Sequence, residues 1–174
     1  FDDHDVAGKN AGIAHAFAYA GHEVVLIDAK PRAAADAEAL RAEAHAEIRA
    51  SLTALAQAGG FDAGEIDPIL ARVRFAARAE ATAALARVDF LFEGVPEVLE
   101  AKRDAFAFAC RHLHADAVVA STTSTMLSTQ LAQLVSSPQR FLNCHWLNPA
   151  YLIPLVELSP HAGTDRAVIE RMKS

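Results

Sequence analysis

The chain has little cysteine, no excess of positive charge and no long hydrophobic run. Its two cysteines, Cys110 and Cys144, are too few and too isolated for a disulfide framework or a zinc site. The formal net charge of −6 argues against a nucleic-acid-binding surface, for which a basic excess is expected. No apolar stretch approaches the roughly 18 residues that span a bilayer, and no signal peptide pattern opens the sequence. We therefore expect a protein of the reducing cytoplasm with no nucleic-acid and no membrane partner.

The composition is that of a globular protein with a substantial core. At 174 residues, 52% of them hydrophobic, the chain fits one domain of ordinary size. Alanine has the highest helix propensity, and the alanine-rich residues 31–58 therefore predict a long helix with Pro31 near its first turn. Gly59 and Gly60 are expected to end this helix, and residues 62–70 to form a turn and a short helix.

Short apolar segments alternate with helical ones along the chain. This alternation predicts an α/β fold with a doubly wound, mainly parallel sheet and helices on both faces. Ligands of such sheets bind at the carboxyl ends of the strands, and polar residues follow each predicted strand here. The predicted strands are residues 22–27, 88–92, 115–120 and 140–144, and the predicted helices are residues 11–20, 32–58, 97–112 and 128–135.

Asp28 closes the first predicted strand. In a dinucleotide-binding unit, an acid at the end of the second strand accepts hydrogen bonds from the adenosine ribose and repels a 2′-phosphate, which favours NAD over NADP. The alternative is a helix N-cap or turn aspartate, which is common after strands. Lys30 and Arg32 nearby weaken the preference for NAD without reversing it.

The glycine-rich turn that should precede this unit is altered. We expect a loop containing Gly8 and Gly12 before the first helix, but a G-x-G-x-x-G pattern counted back from Gly12 does not match. Its three glycines would fall on Asp5, Ala7 and Asn10. Glycine matters there because a Cβ atom would crowd the pyrophosphate. Either the true start of the domain is missing or altered, or this copy binds nucleotide poorly.

His145 and Glu157 form the most informative pair of polar residues. Histidine can take or give a proton near pH 7, and a carboxylate twelve positions later can orient the ring if the chain folds back on itself. The alternative is a buried histidine in a strand and an unrelated surface glutamate.

Four segments together resemble the NAD-binding domain of the L-3-hydroxyacyl-CoA dehydrogenase family. They are Ala11–Asp28, Phe92–Glu97, Ala120–Ser124 and, as the fourth, His145–Pro149 together with Pro154–Glu157. The resemblance implies a Rossmann-type NAD-binding domain over residues 1–162, with residues 163–174 beginning a helix that links to a helical domain absent from this chain. In the family that domain dimerises, so the full-length protein is expected to be a homodimer.

The resemblance also implies roles for individual residues. His145 would be the catalytic base and Glu157 its partner, and Ser124 would contact the reacting oxygen or the nicotinamide ribose. Asn148 would position the nicotinamide end beside the substrate. The remaining cofactor contacts would be Gly8, Gly12, Asp28, Glu97 and Lys102, the last two on the helix of residues 97–112.

The substrate class stays open at this stage. Ser51 matches a serine that approaches coenzyme A in acyl-CoA users, which belong to fatty acid metabolism, but the lysine expected two turns later is Ala58. Residues 145–151 and 158–161 look closer to the carnitine and gulonate dehydrogenases, whose substrates are small 3-hydroxy acids. The competing reading is a catalytically silent or truncated module that binds nucleotide weakly or not at all. A metal site is not expected, because His112 and His114 lack further ligands at a recognised spacing.

Overall fold

The structure is a computed structural model that describes residues 3–153 and 155–174, with the side chains of residues 3–9 left undescribed. Phe1, Asp2 and Pro154, the last of which belongs to the fourth matching segment, lie outside the described residues. The helices are α1 (Asp3–Tyr19), α2 (Ala34–Gln57), α3 (Ile66–Leu70), α4 (Thr82–Leu85), α5 (Leu99–Ala109), α6 (Ser128–Leu131) and α7 (Arg166–Lys173). The strands are β1 (Val24–Ile27), β2 (Val73–Ala76), β3 (Phe90–Glu93), β4 (Val118–Ser121), β5 (Phe141–Trp146) and β6 (Val156–Pro160).

The chain divides into two compact units. The first unit comprises residues 1–81 and 147–154. In it, β1 and β2 form a parallel ladder in which Val24 pairs with Val73 and Ile27 with Ala76. Small and branched apolar side chains of α1, α2, α3 and β2 make its core: Ala11, Ala14, Ala18, Ile48, Leu52, Ile69, Leu70 and Val73.

The second unit comprises residues 82–146 and 155–174 and contains a four-stranded sheet in the order β3-β4-β5-β6. The first three strands are parallel, and β6 runs antiparallel to β5. Phe106 of α5 packs on Val119 and Phe141 of the sheet. Val168 of α7 packs on Val118 and Leu142, so this helix lies against the sheet of its own unit. Whether it also links to a further domain stays a prediction.

All four predicted strands are present, and two further strands were missed. β2 has the sequence Val-Arg-Phe-Ala, which is short and contains a charged residue. It therefore lacks the apolar run from which a buried strand is predicted. β6 lies at the edge of its sheet and is mostly exposed, and it therefore contains Glu157, Ser159 and Pro160 instead of an apolar run. The mainly parallel arrangement follows the prediction.

All four predicted helices have different limits in the structure, and the largest correction concerns α1. It begins at Asp3 instead of residue 11, so Gly8 and Gly12 lie within a helix and not in the loop we expected. α2 begins at Ala34, after Pro31, whereas its end agrees with the prediction because Gly59 adopts the left-handed φ of 83° that stops a helix.

α5 is shorter than predicted at both ends. Val98 is its extended N-cap residue, so Glu97 precedes the helix instead of lying on it. A turn in which the Val98 N–H donates to the Pro96 carbonyl occupies this position. The helix ends at Ala109, so His112 and His114 follow it. α6 ends at Leu131, earlier than the predicted residue 135. A short 3₁₀ helix, Ala132–Leu134, occupies most of the rest of the predicted helix.

No helix in the described part of the chain is long and apolar enough to cross a membrane.

Candidate active site

His145 and Glu157 face each other across the β5–β6 ladder. They are directly paired in its antiparallel register, and His145 Nδ1 lies 2.9 Å from Glu157 Oε2. The fold-back that the sequence required is thus made by strand β6. The histidine side chain is 30% exposed and the glutamate 62%, so both groups are open to solvent.

This contact fixes which nitrogen of His145 can act as a base. An ionised carboxylate only accepts hydrogen bonds, so Nδ1 carries the hydrogen that it donates to Glu157. In the neutral ring, Nε2 then holds the free lone pair. The carboxylate also stabilises the imidazolium that forms when Nε2 takes a proton. The pair can therefore accept a proton at Nε2 and hold the resulting charge.

A second polar group lies at the carboxyl ends of β3 and β4. Glu93 ends β3, Ser121 ends β4, and the two residues pair in the parallel register. Ser121 Oγ donates to Glu93 Oε2 at 2.5 Å, and the Lys102 ammonium of α5 lies 3.0 and 3.1 Å from the two Glu93 oxygens. All three side chains are buried. Sequence reasoning gave Glu93 no role, although a charged residue closing an apolar strand was a visible signal.

Glu97 holds the loop that follows β4. Thr123 Oγ1 lies 2.7 and 2.9 Å from its two carboxylate oxygens, and the Ser124 N–H donates to Glu97 Oε1 at 2.9 Å. Ser124 Oγ is 3.4 Å from the same oxygen, and Ser124 itself is exposed. Two of the predicted site residues, Glu97 and Ser124, are therefore in direct contact.

Asn143 attaches β5 to the same loop. Its Nδ2 donates to the carbonyl of Met126 at 2.8 Å, and it pairs with Ser121 in the register of β4 and β5. Asn143 and His145 are two residues apart on one strand, so they point to the same face of the sheet. This residue was also missed, because an amide within a strand has no spacing signal.

Asp28 is buried directly after β1, in the first unit. The Lys30 N–H donates to its Oδ1 at 3.0 Å and Arg32 Nε donates to its Oδ2 at 2.7 Å. A carboxylate offers about four lone-pair sites, so each oxygen keeps one for a further donor. The carboxylate therefore has capacity for two further hydrogen-bond donors, which is the number of hydroxyls that a ribose supplies.

The other predicted residues of the first unit have different surroundings. Ser51 donates to the Ile48 carbonyl at 2.9 Å, and its Oγ lies 2.6 Å from His15 Nδ1. Because the hydroxyl hydrogen goes to Ile48, His15 Nδ1 donates to Ser51. The His15 ring stacks on Tyr151, with ring centroids 4.8 Å apart. Ser51 therefore supports a buried histidine from within its own unit.

Gly12 and Asn148 also belong to the first unit. A Cβ atom on Gly12 would lie 3.5 Å from the Ala150 Cβ, an ordinary contact, so space alone does not require glycine there. Asn148 is exposed in the turn that contains Ala150 and precedes Pro149 with a cis peptide bond.

The structure thus sorts the predicted residues into two sets. The second unit holds His145, Glu157, Ser124, Glu97 and Lys102, and the first holds Gly8, Gly12, Asp28, Ser51 and Asn148. Among the described side chains, no group of three or more histidine, cysteine, aspartate or glutamate residues could hold a metal ion.

Comparison with known proteins identifies the family. Residues 9–174 match the model for "3-hydroxyacyl-CoA dehydrogenase, NAD binding domain". A 3-hydroxybutyryl-CoA dehydrogenase of Bradyrhizobium diazoefficiens is 35% identical over 162 residues, which cover 93% of this chain and 52% of that protein. An L-carnitine dehydrogenase/betainyl-CoA thioesterase of a Rhizobium species is 40% identical over 83 residues, covering 48% of this chain and 17% of that protein.

Solved structures agree with this match. The crystal structure of M. tuberculosis FadB2 superposes with a TM-score of 0.85 at 32% identity, covering 96% of this chain and 56% of that one. The fold is therefore of the Rossmann α/β type. The chain belongs to the 3-hydroxyacyl-CoA dehydrogenase family and corresponds to its NAD-binding domain, so NAD is the cofactor that the family indicates. It spans about half the length of the first of these curated relatives.

Proposed function

We propose that the natural protein oxidises an L-3-hydroxy acid or a 3-hydroxyacyl-CoA to the 3-oxo product with NAD, and catalyses the reverse reduction. The observation that carries this proposal is the 2.9 Å contact between His145 Nδ1 and Glu157 Oε2. It leaves Nε2 as the basic nitrogen of a partly exposed imidazole, as an alcohol oxidation requires.

In the oxidation, His145 Nε2 takes the proton of the substrate hydroxyl, and Glu157 stabilises the imidazolium that results. The hydride acceptor for the same carbon would be supplied by NAD, held by the residues named below. In the reduction, the imidazolium returns its proton to the oxygen. The exposed hydroxyl of Ser124 is suited to donate a hydrogen bond to that oxygen or to contact the nicotinamide ribose, and Glu97 fixes the backbone of Ser124 in place.

The cofactor residues follow the family resemblance. Asp28 binds the adenosine ribose, which its two remaining lone pairs support, and Asn148 positions the nicotinamide end. Glu97, Gly12 and Gly8 complete the set. Lys102, which the resemblance also gives as a cofactor contact, lies 3.5 Å from the Glu97 carboxylate. The helix that runs through Gly8 and Gly12 is not the glycine turn of a dinucleotide site.

The choice between free hydroxy acids and CoA thioesters rests on the relatives. Names of both kinds occur among them, a 3-hydroxybutyryl-CoA dehydrogenase and an L-carnitine dehydrogenase. The Ser51 hydroxyl already hydrogen-bonds to His15 and to the Ile48 carbonyl. Ala58, at the position of the expected lysine, has no charge to pair with a phosphate of coenzyme A. Both features favour a small free 3-hydroxy acid. Homodimer formation and a cytoplasmic location stay predictions.

Replacing the proposed base tests the function. In the complete natural protein, His145→Gln should lower kcat by about 10²- to 10⁴-fold, because a positioned base contributes that much. NADH affinity, measured by energy transfer from Trp146, should stay within about twofold, since a lost proton acceptor does not remove cofactor contacts. His22→Gln, at an exposed histidine, is the control. Equal loss of turnover and of NADH binding would show that His145 supports the fold instead.

The second candidate is a module that binds nucleotide weakly and has no activity. The observation that favours it is the continuous helix Asp3–Tyr19 in place of a glycine turn. Titration with NADH separates the two candidates, because an active domain should respond at micromolar cofactor. No fluorescence response at millimolar NADH would support the silent module.

A further inference from the structure

Glu93, at the end of β3, and Lys102, on α5, form a buried ion pair that takes no part in the proposed proton transfer. Lys102 is 1% exposed and Glu93 is 5% exposed. The ammonium lies 3.0 and 3.1 Å from the Glu93 oxygens, 3.3 Å from the Val95 carbonyl and 3.5 Å from Glu97 Oε2. An ammonium has three hydrogens, so these acceptors use its whole donor capacity. Lys102 has no hydrogen left to donate to a cofactor.

The carboxylate of Glu93 is the junction of this cluster. Besides the ammonium, it accepts the Ser121 hydroxyl at 2.5 Å and the Val95 N–H at 2.8 Å. It thereby joins three chain segments, namely the turn after β3, helix α5 and the end of β4. Ser121 Oγ in turn accepts the Thr123 N–H at 3.4 Å.

The cluster ends in the loop that carries the proposed cofactor and substrate contacts. Lys102 lies against Glu97, and Glu97 holds the hydroxyl of Thr123 and the N–H of Ser124. Two chains of contacts therefore connect Glu93 with the loop. One passes through Lys102 and Glu97 to Ser124, and the other passes through Ser121 to Thr123. Glu93 is therefore connected to both ends of the loop.

We propose that Glu93 and Lys102 are positioning residues that set the Ser121–Ser124 loop and the Glu97 carboxylate for NAD and substrate, without touching either. This rests on the proposed function and adds to it. A buried ion pair is a poor source of stability, because desolvation of both charges offsets their attraction, and an apolar pair would pack in its place. Its geometry, with every acceptor and donor used, instead specifies one arrangement of the loop.

The test compares Glu93→Gln, Lys102→Met, their double variant and Ser121→Ala in the complete natural protein. Glu100→Gln is the matched control, since it removes an exposed ion pair with Arg103 on the same helix. For each variant, the melting temperature, the NADH dissociation constant and kcat are measured at a temperature where the protein is folded.

The single change Glu93→Gln removes the nearer counter-charge of a buried ammonium and leaves only the Glu97 carboxylate, 3.5 Å away, so we expect the melting temperature to fall by about 10 °C. The double variant should recover most of this loss. NADH affinity should be weaker by about tenfold to a hundredfold in both, because misplacement of contacting groups has effects of that size. Recovery of stability without recovery of affinity separates a positioning role from a merely structural one.

Two results would overturn the proposal. Wild-type or tighter NADH binding in folded Glu93→Gln would mean that the released Lys102 ammonium contacts the cofactor directly. Wild-type affinity and kcat in the double variant would mean that the pair serves the fold alone. If Glu93→Gln does not fold, Ser121→Ala decides. We expect about threefold to tenfold weaker NADH binding, with a fall in melting temperature smaller than that of Glu93→Gln because only one hydrogen bond to the buried carboxylate is lost. Wild-type binding in this variant counts against the proposal. Failure of the proposed function is distinct, since the unmodified protein would then neither bind NADH nor turn over.

Discussion

At the scale of single residues, the two cysteines differ in reactivity. Burial raises the pKa of the Cys144 thiol to about 12, whereas Cys110 is only partly buried. The thiolate is the reacting species, so Cys144 should resist alkylation in the folded chain and Cys110 should react first. Mass spectrometry after brief iodoacetamide treatment at pH 8 should show one adduct, on Cys110. Unfolding in urea should expose both thiols, and early modification of Cys144 would contradict its burial in β5.

His15 makes the stability of the chain depend on pH. Burial lowers its pKa from 6.5 to about 4, because an imidazolium at this position would lose its hydration. The folded state thus binds fewer protons than the unfolded state between these values. Stability from this group is fully present above pH 6.5 and is lost as the pH falls towards 4. Over that range the loss amounts to about 3 kcal/mol.

Urea unfolding at pH 7, 6, 5 and 4 measures this dependence. His15→Gln should reduce the number of protons taken up on unfolding by about one. The unfolding free energy of this variant should therefore change less between pH 6.5 and 4 than that of the unmodified chain. Carboxylates titrate in the same range, so the comparison is made between variants. His22→Gln, at an exposed position, should keep the original slope. An equal slope in His15→Gln would show that His15 does not titrate as its burial requires.

At the scale of elements, the end of α2 depends on one backbone conformation. Gly59 has a φ of 83°, and an added Cβ would meet no atom within 4 Å, so the cost of Gly59→Ala comes from the backbone alone. That cost is about 1 to 2 kcal/mol, which corresponds to a fall in melting temperature of about 2 to 8 °C for a chain of this size. Gly59→Asn should lose less, because asparagine tolerates this conformation. Equal melting temperatures for all three residues would contradict the assigned φ.

The elements that the sequence predicted are those with a strong local signal. The apolar runs of β1, β3, β4 and β5 and the alanine-rich α2 were all found. β2 and β6 were not, since short or edge strands form through pairing with a neighbour and need no apolar run. The predicted start of α1 was wrong because Gly8 and Gly12 indicated a loop, whereas the structure accommodates both within the helix.

The candidate site shows the same division. The His145–Glu157 contact could be predicted from a spacing of twelve and from the family resemblance, and β6 makes it. The cluster around Glu93 could not, because its members, Lys102 and Ser121, are 9 and 28 positions away. They meet only through the parallel register of β3 and β4 and the packing of α5. The register of two parallel strands joined by a long connection has no signature in the order of residues.

At the scale of the whole molecule, cofactor binding should stabilise the folded protein. A ligand at a hundred times its dissociation constant adds about 2.7 kcal/mol, so NADH should raise the melting temperature of the complete natural protein by about 5 to 10 °C. NADPH at the same concentration should raise it less, because its 2′-phosphate meets the Asp28 carboxylate. Asp28→Asn removes that repulsion and should narrow the difference, since Arg32 is then free to face the phosphate. Glu38→Gln, at an exposed acid on α2, is the control. A larger shift with NADPH than with NADH in the unmodified protein would mean that Arg32, and not Asp28, sets the cofactor preference.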